Sequence, residues 1–293
     1  MVPKPIEFSV IVPSYNRANL LERALNSILV QSYPAREIIV VDDGSSDATA
    51  RVLREDYPEV RYYYQRHCGV SAARNHGIGL STANWIALLD SDDAWHPEKL
   101  SEQASAVRAN PLARLIHTNE TWYRNGQLLQ QKKHHLKFGG RIFERCLPSC
   151  AISPSSVVIR RDVFEDIGLF DESLKACEDY DFWLRFCAHE PVVYLDQPLV
   201  QRFGGHADQL SRRTPGLDRY RIKSLCRLLA SGVLDEQQRR LASASLRKKI
   251  QIYIIGARKR GRYTEVTEYE SIAETLAEAI ADRRELTVIK QAT

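Results

Sequence analysis

The chain has 293 residues and a formal net charge of +4, with 44% hydrophobic and 27% charged residues. This composition excludes a disordered or collagen-like chain, and a chain of this length can build a full core without disulfide bonds. Its six cysteines form neither a CxxC pair nor a zinc-type spacing. No apolar run approaches the ~20 residues of a membrane-spanning helix, and the first residues leave no room for the apolar region of a signal peptide. We therefore expect a cytoplasmic protein.

The first hundred residues alternate apolar runs with segments of helical spacing, which predicts βαβ units in a mostly parallel sheet. Strands are predicted at 8–13, 38–41, 60–64 and 85–89. Helices are predicted at 20–29, near 47–53 and at 71–80, the first with Asn19 and Glu22 spaced as a capping box. A fourth helix is predicted to begin at Pro97.

The pattern is less regular in residues 111–212. Strands are predicted at 115–118, 157–160, 192–195 and 199–203, a helix at 179–187, and a polar loop or edge at 127–140. From residue 215 the pattern is helical, and the last helix is predicted to start at Thr267. Residues 1–212 carry 24 Lys and Arg against 27 Asp and Glu, whereas 213–293 carry 17 against 10. This predicts a slightly acidic main region and a basic helical extension.

Polar and acidic residues follow three of the predicted parallel strands. The first strand leads into PSYNR at 13–17, the second into Asp42 and Asp43, and the fourth into DSDD at 90–93. Because ligands bind beyond the carboxyl ends of the strands in such sheets, we expect these segments to meet at one edge.

Asp90, Asp92 and Asp93 are the most distinctive of these residues. Carboxylates packed this closely raise each other's pKa, so a counter-charge is expected nearby. Oxygen ligands on a short turn suit Mg²⁺ or Mn²⁺ held by one or two carboxylates, with phosphate and water completing the shell. The alternative is an aspartate-rich turn that caps the helix after Pro97.

The segment that begins with Asp42 and Asp43 also has two interpretations. A strand-to-helix turn accounts for one aspartate and Gly44, whereas the second aspartate is suited to accept from a ligand N–H or ribose hydroxyl. Neither GxGxxG nor GxxxxGK[ST] occurs, which excludes a dinucleotide fingerprint and a P-loop. Any phosphate must then be bound by a metal and by side chains.

Glu178 and Asp179 stand at the start of a predicted helix that Phe182, Trp183 and Phe186 can anchor in the core. The helix dipole by itself favours acids in a first turn, which is the simple interpretation. A rigidly held carboxylate that faces the metal site would instead serve as a general base.

Taken together, these segments resemble family 2 glycosyltransferases of the GT-A fold. The matching segments are SVIVPSYN at 9–16, VVDDGSSD at 40–47, GVSAARNHG at 69–77, LDSDD at 89–93 and ED at 178–179. The resemblance covers residues 8 to about 211 and implies an α/β fold, a Rossmann-like, mostly parallel sheet flanked by helices, with a C-terminal helical extension. It divides the chain into a glycosyltransferase domain at 1–212 (donor half about 1–110, acceptor half 111–212) and the basic extension at 213–293.

The resemblance also implies which residues bind the donor. Pro13, Tyr15 and Asn16 are expected to line the pocket of the base and ribose. Asp43 is expected to accept from a uracil-type N–H, and Arg74 to lie near the nucleotide or its phosphates.

The acidic segment at 90–93 is similar to the family's DxD element. This implies that Asp90, Asp92 and Asp93 bind Mn²⁺ or Mg²⁺, and that Asp92 can also contact the ribose. The segment RFGGHADQLS at 202–211 is similar to a later family element, so His206 is either a further metal ligand or an ordinary loop residue.

Asp179 matches the family's catalytic base, and its neighbour Glu178 can orient the acceptor. The implied reaction is an inverting transfer from a nucleotide diphosphate sugar, expected to be a UDP-sugar, to a saccharide or lipid-linked saccharide, as in bacterial cell-surface polysaccharide or glycolipid synthesis. Two alternatives stay open, a nucleotide-sugar-binding protein without catalysis and a sugar-phosphate nucleotidyltransferase. The latter is expected to carry a glycine-rich basic loop where this chain has PSYNR.

The basic extension has two interpretations as well. Its clusters KK at 248–249 and RKRGR at 258–262 flank apolar residues and can attract anionic lipid headgroups, which would place the protein peripherally at the inner face of a membrane. The alternative is that they are solvated faces of helices packed on the main domain. No nucleic-acid-binding module is recognisable, so nucleic acid is not an expected partner.

Overall fold

The computed structural model describes residues 5–132, 135–205, 214 and 216–281, with side chains described up to residue 275. The described part of the chain contains one nine-stranded sheet. Its strands are β1 (Phe8–Ser14), β2 (Glu37–Asp42), β3 (Arg61–Tyr64), β4 (Trp85–Leu88), β5 (Ala94–Trp95), β6 (Leu115–Arg124), β7 (Gln127–Leu129), β8 (Val157–Arg160) and β9 (Val193–Gly204).

The sheet has the order β3-β2-β1-β4-β8-β6-β9-β5, with β7 on the C-terminal part of β6. The first four strands pair in parallel. β8 is antiparallel to both β4 and β6, whereas β6 and β9 are parallel. The carboxyl ends of β1 and β2 therefore point to the same edge, which the turn after β4 also reaches.

Helices cover the sheet on both faces. They are α1 (Ala18–Leu29), α2 (Thr49–Asp56), α3 (Val70–Leu80), α4 (Lys99–Ala109), α5 (Phe143–Cys146), α6 (Val163–Asp166), α7 (Glu178–His189), α8 (Asp218–Ala230), α9 (Glu236–Lys259) and α10 (Tyr263–Ala281), with a 3₁₀ turn at Pro154–Ser156. Along β1, Phe8, Val10 and Val12 pack with α1, α2 and α4, whereas Ile11 belongs to the core on the opposite face. Burial on both faces explains why these strands read as continuous apolar runs.

The core on the second face extends into the C-terminal helices. Leu225 of α8 and Ile250 of α9 belong to the same apolar cluster as Phe182 of α7. Gln238, in the first turn of α9, also donates from Nε2 to the carbonyl of Ala188 at the end of α7 (2.8 Å). Within the described ranges, no helix is both long and apolar enough to cross a membrane.

Several predicted boundaries differ from the structure. Asn19 lies inside α1 and does not cap it; the Ala18 N–H at the start of α1 donates to Asp47 instead (3.0 Å). The strands predicted at 192–195 and 199–203 form one strand, β9, because register shifts beside Asn119 of β6 accommodate Pro198. The fourth helix begins at Lys99 and the last one at Tyr263.

Candidate active site

The loops after β1 and β2 are tied to each other by Asn16. Its backbone N–H donates to Ser45 Oγ (2.8 Å), and its Oδ1 accepts from the Ser46 N–H (2.8 Å). Asn16 has a φ of 52°, in the left-handed region that asparagine tolerates better than most residues. The predicted convergence of these two loops is therefore present, with Pro13 buried in β1 beside Val41 of β2.

Asp43 is buried, and its carboxylate accepts three hydrogen bonds. The donors are Gln65 Nε2 (2.7 Å) and the backbone N–H groups of Cys68 (2.8 Å) and Gly69 (2.8 Å). These bonds fix the carboxylate at the carboxyl end of β2 and connect it to the loop that follows β3.

His67 completes this edge, and the sequence analysis missed it. Its Nδ1 lies 2.8 Å from Asp43 Oδ2, and its ring stacks on Tyr15 with centroids 4.1 Å apart. A Cβ on Gly44 would come within 2.8 Å of the His67 backbone nitrogen, and Gly44 has a φ of +85°, so glycine permits this approach. Its place in the sequence could have indicated this role, because His67 follows the end of a third parallel strand, β3, as the other residues of this edge follow β1 and β2.

Three carboxylates follow β4, and each lies next to a different arginine. The nitrogen–oxygen distances are 2.7 Å for Asp90 and Arg74, 3.2 Å for Asp92 and Arg17, and 3.7 Å for Asp93 and Arg202. The counter-charge expected for the acidic turn is thus supplied by residues far apart in the sequence. Arg202, on β9, is another residue that the sequence analysis did not single out.

Asp93 is the most buried of the three. Ser155 Oγ donates to its Oδ2 (2.6 Å), and the Phe203 N–H donates to its Oδ1 (3.2 Å). Burial raises the pKa of Asp93 well above its usual range, and Arg202 opposes that shift while Asp92 adds to it. The charged form of the Asp93 carboxylate is therefore disfavoured, and a further positive charge nearby would stabilise it.

The donor set of this turn is oxygen-only, which matches the ligand preference of Mg²⁺ and Mn²⁺. Among the described residues, no three His, Cys, Asp or Glu side chains are grouped so that they could hold a metal ion. The chemistry therefore fits an ion bound by one or two of Asp90, Asp92 and Asp93, with diphosphate and water oxygens as further ligands. His206 lies outside the described residues.

Arg74 joins the acidic turn to helix α7. Its side chain is only 3% exposed, and it donates from Nη2 to Asp90 Oδ1 (2.7 Å) and from Nη1 to Glu178 Oε1 (2.7 Å). Burial raises the pKa of Glu178, Arg74 lowers it, and the charge of Asp179 raises it again. The bridge brings together three of the predicted site residues.

Asp179 lies one residue beyond that bridge, in the first turn of α7. Its Oδ1 accepts from the Tyr180 N–H (2.7 Å), and its Oδ2 lies 3.0 Å from Cys150 Sγ. Trp183 and Phe182 are fully buried below it and hold the helix in the core, as the sequence predicts. The contacts with Tyr180 and Cys150 therefore hold the Asp179 carboxylate in place.

A cavity of about 620 Å³ opens beside Asp179. Its walls include the aromatic rings of Trp122 and Phe138, together with Lys137 and Arg202. Arg202 lines this cavity and also approaches Asp93, so it connects the cavity to the acidic turn. The volume and the mixture of aromatic and charged walls are suited to a small polar ligand.

Known proteins are similar to this chain in sequence and in fold. The model of Glycosyl transferase family 2 matches residues 9–168. An uncharacterised glycosyltransferase of Rickettsia typhi is 32% identical over 203 residues, which cover 66% of this chain and 62% of that protein. The chondroitin synthase of Escherichia coli is 28% identical over 199 residues, which cover 66% of this chain and 28% of that protein. The match thus spans less than two thirds of the length of these curated relatives.

The fold is similar to that of a protein with a solved structure. The structure of S. aureus TarS 1–349 in complex with UDP-GlcNAc has a TM-score of 0.61 and 19% identity, and the match covers 95% of this chain and 93% of that chain. This likeness confirms the predicted GT-A type of α/β fold. Since the family model also matches more than half of the chain, this protein belongs to glycosyl transferase family 2.

Proposed function

We propose that this protein transfers a sugar from a UDP-sugar to a hydroxyl of a saccharide or lipid-linked saccharide, with inversion at the anomeric carbon, in the synthesis of a bacterial cell-surface polysaccharide or glycolipid. The observation that carries the proposal is the position of Asp179. It lines a cavity of about 620 Å³, and its neighbour Glu178 is bonded through Arg74 to the acidic turn after β4.

The donor base is proposed to bind at the edge formed by Tyr15, Asn16 and Asp43, with Pro13 in the wall behind it. Asp43 accepts from Gln65 and from two backbone N–H groups, and His67 Nδ1 lies 2.8 Å from its Oδ2. A carboxylate has about four lone-pair sites, so the N–H of the base is proposed to bind Asp43 in place of the His67 contact. The half-exposed ring of Tyr15, backed by His67, offers a face on which a base can stack. TarS, which has the same fold, was solved with UDP and with UDP-GlcNAc, and this supports a uridine donor.

We further propose that Asp90, Asp92 and Asp93 bind Mn²⁺ or Mg²⁺ together with the donor diphosphate, and His206 stays a predicted fourth ligand. When bound, such an ion stabilises negative charge on the departing diphosphate. Arg17 and Arg202, which face Asp92 and Asp93, hold these carboxylates in position.

Asp179 is proposed to act as the general base. It takes the proton of the acceptor hydroxyl while that oxygen forms a bond to the anomeric carbon, and the bond from this carbon to the diphosphate oxygen breaks on the opposite face. Its carboxylate is held by the Tyr180 N–H, so one oxygen can be presented to the cavity. Glu178 positions this part of α7 through Arg74.

A thermal-shift panel tests the donor proposal. UDP, UDP-N-acetylglucosamine and UDP-glucose are expected to raise the melting temperature with Mn²⁺ present, because a ligand at 100 times its Kd stabilises the folded state by about 2.7 kcal/mol. GDP and ADP serve as controls and are expected to give smaller shifts, and EDTA should reduce the UDP shift. Equal shifts with GDP, or none with UDP, would contradict the proposal.

The product of the reaction separates the alternatives. A glycosyltransferase releases UDP from a UDP-sugar even when water is the acceptor. A nucleotidyltransferase instead releases pyrophosphate from UTP when UTP is supplied with a sugar 1-phosphate. A protein that only binds the nucleotide sugar releases neither.

We also propose that α9 contacts an anionic membrane surface. Lys248, Ile252, Ile255 and Lys259 are spaced on one face of this helix and are exposed, the two isoleucines by 52% and 54%. Such a stripe can insert apolar side chains between headgroups while the lysines face anionic lipid.

Flotation with vesicles that contain anionic phosphatidylserine is expected to carry the protein upward at physiological salt and less so at high salt. The variant I252N/I255N should stay in the soluble fraction. Leu112→Asn, which changes an apolar residue that is 91% exposed between α4 and β6, is the matched control and should float like the parent. A parent protein that does not float removes the membrane proposal.

A further inference from the structure

We propose that Cys150 is a positioning residue for the base: its thiol donates a hydrogen bond that orients the Asp179 carboxylate. The proposal rests on the proposed function, in which Asp179 takes the acceptor proton. Cys150 lies in the loop between α5 and the 3₁₀ turn, and it lines the same cavity as Asp179.

The geometry gives the thiol two possible acceptors. Cys150 Sγ is 3.0 Å from Asp179 Oδ2 and 3.0 Å from the carbonyl oxygen of Ile152. A thiol has one proton, so it can serve one of these acceptors at a time. Because an ionised carboxylate is a stronger acceptor than a carbonyl, the proton is directed to Asp179 while Asp179 is charged.

The bond therefore depends on the charge of the base. When Asp179 takes the acceptor proton, its oxygen becomes a poorer acceptor, and the thiol proton can turn to Ile152. With Tyr180 N–H on Oδ1 and Cys150 on Oδ2, both oxygens of the base are held in the orientation that faces the cavity.

The surroundings favour a thiol that stays protonated. Burial raises the pKa of Cys150 well above its usual range, and the adjacent charge of Asp179 adds to this, while Lys137 acts in the opposite direction. Cys177, just before α7, and Glu178, its first residue, adjoin Asp179 in the chain, and burial and the Asp179 charge raise the pKa of both. Cys150 is thus a hydrogen-bond donor rather than a nucleophile.

The test is the kinetic profile, kcat and KM, of UDP release from UDP-N-acetylglucosamine in three variants. Cys150→Ala removes the donor, so kcat is expected to fall by about 10-fold while KM for the donor stays near the parent value. Cys150→Ser keeps a donor and is expected to restore most of the parent profile. Cys226→Ala, which truncates a buried thiol of α8 in the same core, is the matched control and should leave the profile unchanged.

Two outcomes would overturn the proposal. The first is a Cys150→Ala enzyme with the kinetic profile of the parent. The second is an equal defect in the alanine and serine variants, because this would indicate that Cys150 acts through packing alone. Asp179→Asn separates this failure from that of the proposed function. If Asp179→Asn keeps full activity, the base assignment itself is wrong. If it is inactive while Cys150→Ala behaves like the parent, only the role of the thiol is rejected.

Discussion

Asp179→Asn is expected to lower the rate of UDP release from the UDP-sugar by ~10²- to 10⁴-fold, the usual contribution of a general base. Asparagine has almost the same shape and can still accept from the Tyr180 N–H, but it cannot take a proton from the acceptor hydroxyl. The fold and the donor edge should be unchanged. Initial rates of UDP release measure the loss, and an unaltered thermal shift with UDP shows that donor binding persists.

Asp181→Asn is the matched control for this variant. Asp181 lies in the same first turn of α7, but its carboxylate pairs with Arg185 (2.9 Å) and does not line the cavity. This control is expected to lower the melting temperature and to keep turnover within a few-fold of the parent. Near-normal UDP release by Asp179→Asn, or an equal loss in Asp181→Asn, would contradict the assignment of the base.

Arg74→Ala is expected to have the largest effect on stability. Removing one partner of a buried ion pair leaves an uncompensated charge and costs about 3–5 kcal/mol. Here Glu178 is 4% exposed and loses its partner, and Asp90 loses the same arginine. The free energy of unfolding, measured by urea denaturation with circular dichroism, is expected to fall by that amount.

A surface ion pair provides the control for Arg74. Arg51 pairs with Glu55 on α2, and both side chains are more than half exposed. Exposed pairs of this type contribute about 0–1 kcal/mol, so Arg51→Ala should change the unfolding midpoint little. If Arg74→Ala were as stable as Arg51→Ala, the bridge between the acidic turn and α7 would not be a structural element of the site.

The sequence predicted the first half of the fold closely. Strands β1, β2 and β4 and helix α3 lie within one or two residues of their predicted positions, because runs such as FSVIVP are apolar on both faces and end at polar turns. The prediction was less accurate where tertiary contacts override local pattern. Strand β9 is continuous through Pro198 because its pairing with β6 continues on both sides of a register shift.

The sequence predicted many of the residues of the candidate site, but it did not predict which of them contact each other. Asp90, Arg74 and Glu178 were singled out separately, and the structure joins them in one buried bridge. His67 and Cys150 were missed, because neither belongs to a motif and each becomes relevant through a neighbour in space, Asp43 for His67 and Asp179 for Cys150. The roles of all these residues in catalysis stay predictions.

The amino-acid sequence by itself determined the order of the βαβ units, the acidic turn after β4 and the family to which the chain belongs, because these depend on local periodicity and on short motifs. The tertiary structure decided which charged and polar side chains contact each other. Arg74 and Glu178 are 104 positions apart, and Asp93 and Phe203 are 110 apart. Such pairs are set by how the sheet and helices pack, and the cost of burying an unpaired charge makes that packing specific.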